Sequence, residues 1–265
     1  MDLAARRAPR ADVPTLAIIP ARLGATRLPR KPLRLLGGRP LIVRVWERVQ
    51  SLGLVTACVV ATDSEEVARA AADAGALVEM TSDAHPSGTD RVAEVAARPA
   101  YHRFGAIVNV QGDEPFVDAA AIRGALAQVV DGGFPLGTAA ALLDPARIAD
   151  PNVVKVVAAD DGRAMYFSRA PIPYLRDAAE AEVQRSVVQQ HIGVYAYTRE
   201  ALAHWVSLPP HPLEQIERLE QLRPLAAGLA MGVATIAGPL AGGIDTEDDL
   251  RRADAAWPRL TTDVT

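Results

Sequence analysis

Four cations stand close together in the turn-rich segment that follows the first apolar run of the chain. The run, residues 16–19, is bounded by Pro20 and is typical of a buried parallel strand. The four cations are Arg22, Arg27, Arg30 and Lys31. Because ligands of open α/β sheets bind beyond the carboxyl ends of the strands, this pattern indicates a site for a polyanion. A solvated charged loop is the alternative interpretation.

Two acidic motifs could complement these cations. NVQGDEP at 109–115 puts Asp113 just past a predicted buried strand, and GGIDTEDD at 242–249 puts Asp245 at a glycine-rich turn between a predicted strand and a helix. Carboxylates at such positions can hold Mg²⁺, which prefers one or two carboxylates together with phosphate oxygens. From the motifs alone, a turn residue is the stronger interpretation of Asp113 and a helix cap that of Asp245.

The first half of the chain alternates between predicted strands and helices. A helix is predicted to begin at Pro40 and to stop at Gly53, and Thr62 with Glu65 predicts a capping box for a second helix that ends near Gly75. A third helix is expected near Thr89. Further strands are expected at 55–61, 76–80 and 106–110. This alternation predicts a parallel, doubly wound sheet.

No glycine-rich dinucleotide fingerprint follows the first strand, and the chain contains no P-loop motif. A classical dinucleotide fold and a P-loop fold are therefore disfavoured. We expect the phosphate site to use side chains and irregular loop amides instead.

The second half breaks the alternation. Residues 151–173 predict two strands joined at 160–162, and further strands are expected at 191–197 and 231–236. A helix is predicted over 212–223, with an inward face formed by Leu213, Ile216, Leu219 and Leu222. Asp245 or Thr246 is expected to cap the last helix.

The predicted domain organisation is a single domain over residues 14–258. We expect a subdomain at roughly 150–225 that serves as a substrate lid or a dimer contact. The segments 1–13 and 259–265 are expected to be tails, the first of them disordered.

Composition excludes several classes of protein. A formal net charge of −4 over 265 residues gives no basic footprint for nucleic acid, and no apolar run approaches the length of a membrane span. The basic N-terminal segment has no apolar core, so we do not expect it to act as a secretory signal. Cys58 is the single cysteine and lies in an apolar run, which excludes an internal disulfide and predicts a buried, inert thiol in a cytoplasmic protein.

Lysine usage points back to the basic segment. Only Lys31 and Lys155 are lysines, and every other basic residue is arginine. A compact ammonium binds phosphate as a point charge and needs less space than a broad guanidinium, so both lysines are candidates for a specific role. Chance retention is the alternative.

The motifs together resemble those of 3-deoxy-manno-octulosonate (Kdo) cytidylyltransferases. The resemblance runs from about Leu16 to Trp257 and is carried in order by PAR-x-x-x-TRLP-x-KPL, NVQGDEP, PNVVKVV, YFSRAPIP, QHIGVYAY and PLEQIERLEQLR. It implies an α/β, Rossmann-like nucleotidyltransferase with a mostly parallel central sheet and a smaller β-containing subdomain. It also implies use of CTP and Mg²⁺, release of pyrophosphate, an acidic acceptor, and a homodimer.

The resemblance assigns roles to individual positions. The implied catalytic residues are Arg22, Lys31 and Asp113, and the implied metal ligands are Asp113 and Asp245. The implied nucleotide-binding residues are Pro20, Ala21, Arg22, Arg27, Lys31, Ser87, Gly88 and Gln111. The implied acceptor-binding residues are Gln111, Arg169, His191, Tyr195, Glu220 and Gln221. Glu114 is expected to be structural.

Several of these residues have an ordinary structural alternative. His191 could be a hydrogen-bonded core histidine, and Tyr195 could be a core aromatic residue. The glutamates at 214, 217 and 220 would usually form the polar face of a helix, so only the last of them is given a site role. Asp63 is expected to be a helix cap.

Four positions depart from the family pattern. Ala25 replaces a serine, Arg30 a glycine, Ser82 a basic residue, and Gln190 a residue that is usually a cation. They motivate a second hypothesis, the same chemistry on a smaller anionic acceptor such as a phosphonate of the phosphonoformate type. A hypothesis of another class is a non-catalytic nucleotide-binding regulator, which the joint presence of Lys31, Asp113 and Asp245 disfavours.

Overall fold

A computed structural model describes residues 13–24, 27–174, 176, 187–237 and 242–260, with side chains in the last range described up to Trp257. The chain divides into two compact units. What we call the first unit comprises the described residues of Thr15–Arg103, Asn109–Ala119 and Leu240–Thr265. The second unit comprises those of Met1–Pro14, Phe104–Val108 and Ala120–Pro239.

The strands of the described residues are β1 Thr15–Ala21, β2 Leu35–Leu36, β3 Arg39–Pro40, β4 Ala57–Thr62, β5 Leu77–Met80, β6 Ala106–Val110, β7 Leu136–Leu142, β8 Lys155–Ala158, β9 Ala164–Ser168, β10 Gln189–Tyr197 and β11 Met231–Ile236. The helices are α1 Leu41–Ser51, α2 Glu65–Asp73, α3 Gly88–Ala96, α4 Ala119–Val130, α5 Arg199–Ser207, α6 Pro212–Glu217, α7 Leu222–Ala226 and α8 Glu247–Leu260. Within the described ranges, no helix combines the length and the apolar character needed to cross a membrane.

In the first unit β1, β4 and β5 run parallel, whereas the short β2 and β3 form an antiparallel pair. β1 pairs with β4 from Leu16 opposite Ala57 to Ala21 opposite Thr62, and β4 pairs in the same direction with β5. Every residue of β1 is buried, which explains why its sequence is a continuous apolar run rather than an alternating one. Cys58 is buried in β4, and burial raises the pKa of its thiol to about 12, so the expectation of an inert thiol is confirmed.

Helix α1 follows the prediction closely. Leu41, Ile42, Val45 and Val49 are buried along one face, and Gly53 adopts a left-handed φ of +62° just after the helix ends. A residue without Cβ takes that conformation at no steric cost, which is why the helix stops there.

The predicted cap of α2 is wrong. Ser64, not Thr62, is the N-cap, and its hydroxyl accepts a hydrogen bond from Val67 N. Thr62 is the last residue of β4, and its hydroxyl accepts from the N–H of Ser64 at 3.2 Å. Asp63 is not a cap either, because its carboxylate pairs with Arg91 at 2.7 Å.

The second unit contains both parallel and antiparallel pairs. β7 pairs in parallel with β11 and antiparallel with β10, and β8 and β9 form a smaller antiparallel hairpin. The hairpin turns where the sequence predicted it, with Gly162 at a φ of +84°. The predicted subdomain at roughly 150–225 lies within this unit.

The helix predicted over 212–223 is broken. α6 ends at Glu217, Arg218 takes a left-handed φ of +55°, and α7 begins four residues later. Of the four residues expected to face inward, Leu219 and Leu222 are buried, whereas Leu213 and Ile216 are 37% and 78% exposed. The left-handed residue redirects the chain, so one continuous apolar face cannot form.

At the C-terminal end, α8 runs to Leu260, beyond the predicted domain limit at 258. Its first turn is capped by Thr246, whose hydroxyl accepts from Asp249 N at 3.2 Å, so one of the two expected caps is confirmed. Of the predicted tails, residues 1–12 and 261–265 lie outside the described residues.

Candidate active site

The ammonium group of Lys31 lies between two carboxylates of the first unit. Its Nζ donates to Asp113 Oδ2 at 2.5 Å and to Asp245 Oδ1 at 2.8 Å. Lys31 opens a short 3-10 turn that contains Pro32, and its side chain is only 13% exposed. The structure therefore brings together three predicted site residues from three distant motifs.

The local charges keep Lys31 protonated. Burial acts to lower the pKa of its ammonium, but the charges and hydrogen bonds of Asp113 and Asp245 outweigh burial and raise that pKa. The group is therefore a fixed positive charge over the whole physiological range.

The loop that carries Asp113 is packed onto the end of β1. A Cβ on Gly112 would lie 2.7 Å from the carbonyl oxygen of Pro20, a distance that only glycine tolerates. On its other side, the carbonyl oxygen of Asp113 accepts a hydrogen bond from Ile244 N at 2.9 Å. Both aspartates are thus held by the main chain next to the strand end.

Glu114 fills the space behind the two aspartates. Its carboxyl group contacts Gly243, where an added Cβ would lie 2.7 Å from Oε1. Loss of hydration raises the pKa of Glu114 to about 8, and the charges of Asp113 and Asp245 act in the same direction. A largely uncharged carboxyl group that packs against the chain agrees with the structural role expected for it.

The other cations of the basic segment behave differently from one another. Arg27 reaches Asp245 Oδ2 at 3.0 Å from an exposed position, and Arg22 is exposed just beyond β1. Arg30 is turned towards α2, where its guanidinium pairs with Glu66. The expectation that Arg30 adds a cation to the phosphate site is therefore wrong.

Three of the predicted nucleotide-binding residues lie side by side. A Cβ on Gly88 would lie 3.4 Å from the Pro20 side chain and 3.7 Å from Gln111 Oε1. Ser87 caps α3, accepting from Asp90 N at 3.3 Å and donating to Asp90 Oδ2 at 2.6 Å. Ala21, the last residue of β1, is buried beside this group.

The segment 81–87 that leads to Ser87 is anchored by Glu94, a residue that sequence reasoning missed. Glu94 Oε2 accepts from Ser82 N at 2.9 Å and contacts His85 Nε2 at 2.5 Å, while Oε1 accepts from Arg98 at 2.7 Å. Burial acts to raise the pKa of Glu94, yet these hydrogen bonds lower it to about 2. Glu94 therefore fixes the main chain of Ser82. The only sign of this contact in the sequence is an acidic residue twelve positions after Ser82.

The other departures have separate explanations. Ala25 lies outside the described residues. Gln190 is a residue of β10, where it pairs with Ala141 and Lys155 on the neighbouring strands.

In the second unit, His191 is hydrogen-bonded to Thr138, with Nε2 and Oγ1 2.9 Å apart. The Thr138 hydroxyl donates to Val194 O at 2.8 Å, so the histidine must be the donor in its own bond with Oγ1. Loss of hydration lowers the pKa of His191 to about 3. The ring is therefore neutral, with its proton on Nε2 and an accepting lone pair on Nδ1.

Tyr195 belongs to an aromatic cluster. Its ring lies 5.3 Å from the His191 ring, 6.3 Å from Tyr197 and 5.9 Å from Trp205, measured between centroids. Burial, and then interaction with the charges of Tyr197 and Glu220, raise the pKa of Tyr195 well above its usual value. The ring is packed among other aromatic rings, and Gln221 is buried at the start of α7.

Arg169 is held by the main chain of its neighbours. Nε donates to Glu217 O and Nη1 to Pro151 O, each at 2.8 Å. The carboxylate of Glu217 accepts from Arg169 N and from Ser168 Oγ. Glu217, expected only as a solvated helix residue, therefore anchors Arg169.

The described partners of the Lys155 ammonium are main-chain carbonyl oxygens of the second unit. Lys155 is fully buried, and its Nζ donates to the carbonyl oxygens of Asp150, Val153 and Arg169 at 3.0, 2.7 and 2.5 Å. Of the two lysines singled out by sequence, only Lys31 lies with the aspartates.

The carboxylates around Lys31 are of the type that binds a magnesium ion. Asp113 and Asp245 point oxygens at a single cationic position, and Mg²⁺ prefers such hard oxygen ligands. Among the described residues there is no group of three or more His, Cys, Asp or Glu arranged to hold a metal. A metal here would take two carboxylates from the protein, and the rest of its ligands would come from substrate phosphates and water.

The parallel strands of the first unit and the site at their carboxyl ends define an α/β nucleotidyltransferase. The chain belongs to the cytidylyltransferase family, whose family model matches residues 16–232.

Comparison with curated proteins gives the same family. The chain is 62% identical over 248 residues to a 3-deoxy-manno-octulosonate cytidylyltransferase of Gemmatimonas aurantiaca, covering 94% of this chain and 96% of that protein. It is 48% identical over 242 residues to the protein of the same name from Herminiimonas arsenicoxydans, covering 89% and 95%. The family resemblance seen in the sequence is confirmed.

Solved structures confirm the fold class. CMP:2-keto-3-deoxy-manno-octonic acid synthetase complexed with CTP superimposes with a TM-score of 0.84 at 36% identity, covering 93% of this chain and 99% of that one. A 4-diphosphocytidyl-2C-methyl-D-erythritol synthase of Anaerococcus prevotii has a TM-score of 0.61 at 14% identity and coverages of 93% and 99%, which shows a shared fold only.

Proposed function

We propose that this protein transfers CMP from CTP to Kdo, forming CMP-Kdo and releasing pyrophosphate. The observation that carries the proposal is the Lys31 ammonium between Asp113 and Asp245, at the end of β1. The relatives named for this reaction, and a structural relative complexed with CTP, support the choice of both substrates.

The chemistry is a displacement at the α-phosphorus of CTP. An oxygen of the acceptor forms a new bond to phosphorus, the bond to the β-phosphate oxygen breaks, and the acceptor hydroxyl loses its proton. Because the protein forms no covalent intermediate in such a reaction, catalysis depends on positioning and on charge. Lys31 would neutralise phosphate charge from a fixed position, and Arg22 and Arg27 would add to this from the loop.

Asp113 and Asp245 are the residues we propose to hold Mg²⁺. The ion, when bound, neutralises phosphate charge and stabilises the charge that develops on the leaving group. The two carboxylates would keep the triphosphate in register with Lys31. Their proximity supports the proposal, since both oxygens lie within hydrogen-bond distance of the same nitrogen.

A group of residues at the ends of β1 and β6 and at the start of α3 is proposed to bind cytidine. Pro20, Ala21, Ser87, Gly88 and Gln111 would hold the nucleoside, and the contact of Gly88 with Pro20 and Gln111 supports this group.

Arg169, His191, Tyr195, Glu220 and Gln221, together with Gln111, would bind the acid sugar. Since His191 is neutral, it would accept a hydrogen bond from a sugar hydroxyl rather than pair with the carboxylate. That carboxylate would be left to Arg169.

A cytoplasmic homodimer completes the proposal. The dimer rests on the family resemblance, and the compartment rests on the single, unpaired and buried thiol of Cys58.

The phosphonate alternative is not favoured. One of its four grounds was an added cation at Arg30, and that guanidinium pairs with Glu66. The relatives are named for Kdo as acceptor.

The test is pyrophosphate release from CTP with a panel of acceptors, namely Kdo, related acid sugars and phosphonoformate. We expect release that depends on Kdo and Mg²⁺ and is lost in Asp113→Ala and Asp245→Ala, by orders of magnitude, with the protein still folded. Near-normal turnover of either variant at saturating Mg²⁺ would show that the metal assignment is wrong. If no acid sugar of the panel supports pyrophosphate release, the proposed acceptor is wrong.

A further inference from the structure

Asp249, in the first turn of α8, collects three hydrogen bonds on one carboxylate oxygen. Its Oδ2 accepts from Thr246 N at 2.9 Å, from Thr246 Oγ1 at 2.8 Å and from Asp245 N at 3.2 Å. In return, Asp249 N donates to Thr246 Oγ1 at 3.2 Å.

Part of this arrangement is an ordinary capping box. Thr246 is the N-cap and Asp249 the third helical residue, and in a capping box the third residue accepts from the N-cap N–H. The bond to Asp245 N is additional, because Asp245 precedes the cap. A residue that served only the helix would have no need of it.

The additional bond falls on the residue that carries the second carboxylate of the site. Asp245 is 45% exposed, and its described partners are the ammonium of Lys31 and the guanidinium of Arg27, itself 61% exposed. Its main chain is therefore fixed from two sides, by Asp249 at its own N–H and by the bond from Ile244 N to Asp113 O.

We propose that Asp249 is a positioning residue that sets the orientation of Asp245 for the metal and triphosphate. The inference rests on the proposed function, in which Asp245 is a magnesium ligand. Groups that orient a ligand in this way affect metal affinity by about 10- to 100-fold when they are removed.

Two substitutions separate position from charge. Asp249→Asn keeps an oxygen at the same place and removes the negative charge. Asp249→Glu keeps the charge and moves the oxygen outward by one methylene. Glutamate is the usual third residue of a capping box, so the helix remains capped. Thr198→Ala is the matched control, because Thr198 caps α5 by accepting from Ala201 N at 3.1 Å and contacts none of these residues.

The measurement is the calorimetric dissociation constant of CTP without acceptor, in excess Mg²⁺ and in EDTA, for the full chain. The ratio of the dissociation constant in EDTA to that in Mg²⁺ measures how much the metal contributes to CTP binding, and measuring it requires no turnover. We expect Asp249→Glu to reduce this ratio about tenfold, Asp249→Asn to keep it within about threefold, and Thr198→Ala to leave it unchanged while lowering the melting temperature. Asp249→Ala should reduce it at least as much as Asp249→Glu.

The opposite order would overturn the inference. If Asp249→Asn reduces the ratio and Asp249→Glu does not, the residue acts through its charge. If both keep the wild-type ratio, it acts only as a helix cap. Asp245→Asn tests the proposed function separately, since an unchanged ratio in that variant removes Asp245 from the metal site whatever Asp249 does.

Discussion

The main-chain N–H of Ile244 donates a hydrogen bond to the carbonyl oxygen of Asp113, with 2.9 Å between the two atoms. The bond joins the two segments that carry the site aspartates. Ile244 is buried in an apolar cluster whose other buried members are Leu28, Leu36, Leu41 and Leu250. The hydrophobic core of the first unit therefore fixes the separation of the two segments that carry the aspartates.

Lys31→Met should damage catalysis far more than Arg39→Met. Lys31 is nearly buried between two carboxylates, whereas Arg39 is 47% exposed and pairs with Glu47 on the surface. We expect kcat/KM to fall by at least about 100-fold for the first variant, the cost typical of losing one fixed charge-stabilising group, and to stay near wild type for the second. Equal, small effects measured by pyrophosphate release would return Lys31 to the role of a solvated loop residue.

Gly243→Ala should displace Glu114 and, through it, the loop that carries Asp113. The new Cβ would lie 2.7 Å from Glu114 Oε1 and 3.3 Å from the carbonyl oxygen of Asp113. We expect a loss of about 1–3 kcal/mol in the free energy of unfolding, as for other overpacked sites, together with reduced kcat. Gly242→Ala is the control, because a Cβ there meets nothing within 4 Å. The same loss in both variants would mean that the loop, and not the contact with Glu114, is responsible.

Glu94→Ala should weaken CTP binding, because Glu94 holds the segment that leads to Ser87 through Ser82 N and His85. We expect the KM for CTP to rise about tenfold, the effect of losing charge-assisted hydrogen bonds, with kcat little changed. Glu79→Ala is the matched control, since Glu79 contacts Arg98 and Tyr101 but not the segment. A KM that rises equally in the control would assign the effect to general loosening of α3.

Arg30→Gly should leave the reaction with Kdo unchanged within about threefold, because the side chain pairs with Glu66 rather than facing the aspartates. Its effect on stability should be small. Glycine relieves the left-handed φ of 55° at this position, and the exposed ion pair that is lost contributes little. A large loss of activity with Kdo, or a gain with phosphonoformate, in steady-state assays would revive the altered-acceptor hypothesis.

The sequence was most informative where local patterns and tertiary structure agree. The apolar run of β1, the start of α1 and its glycine stop, and the position of Asp113 after β6 could all be predicted. Burial on both faces and a helix-ending glycine leave marks in neighbouring residues. The pairing of Lys31 with Asp113 and Asp245 could be expected only through the family resemblance.

The failures have two causes: a backbone conformation that no residue type marks, and long-range contacts, which leave no periodic signal. The break at Arg218 depends on a left-handed backbone that no glycine announces. Glu217 looked like a solvated helix residue, yet it binds Ser168 and Arg169 from far along the chain. Arg30 looked like part of the phosphate loop until its contact with Glu66 was known.

His191 should make the protein less stable as the pH falls. The pKa of this histidine is about 3 in the folded chain, below its usual value of 6.5, so the unfolded chain binds a proton that the folded chain does not. Its contribution to stability is therefore complete above pH 6.5 and is lost progressively from there towards pH 3. Each pH unit within that window should remove up to about 1.4 kcal/mol.

The measurement is the free energy of unfolding in urea at pH 7, 6 and 5, for wild type and for His191→Gln, whose amide can still donate to Thr138. Glu114, with its pKa raised to about 8, stabilises the fold as the pH falls through the same window and opposes the histidine. The lowered pKa of Glu94 changes the free energy of unfolding only below pH 4.5. The difference between the two proteins is therefore the informative quantity, and we expect it to shift in favour of the variant as the pH falls from 7 to 5. A difference that stays constant with pH would mean that the ring of His191 is hydrated and titrates normally in the folded chain.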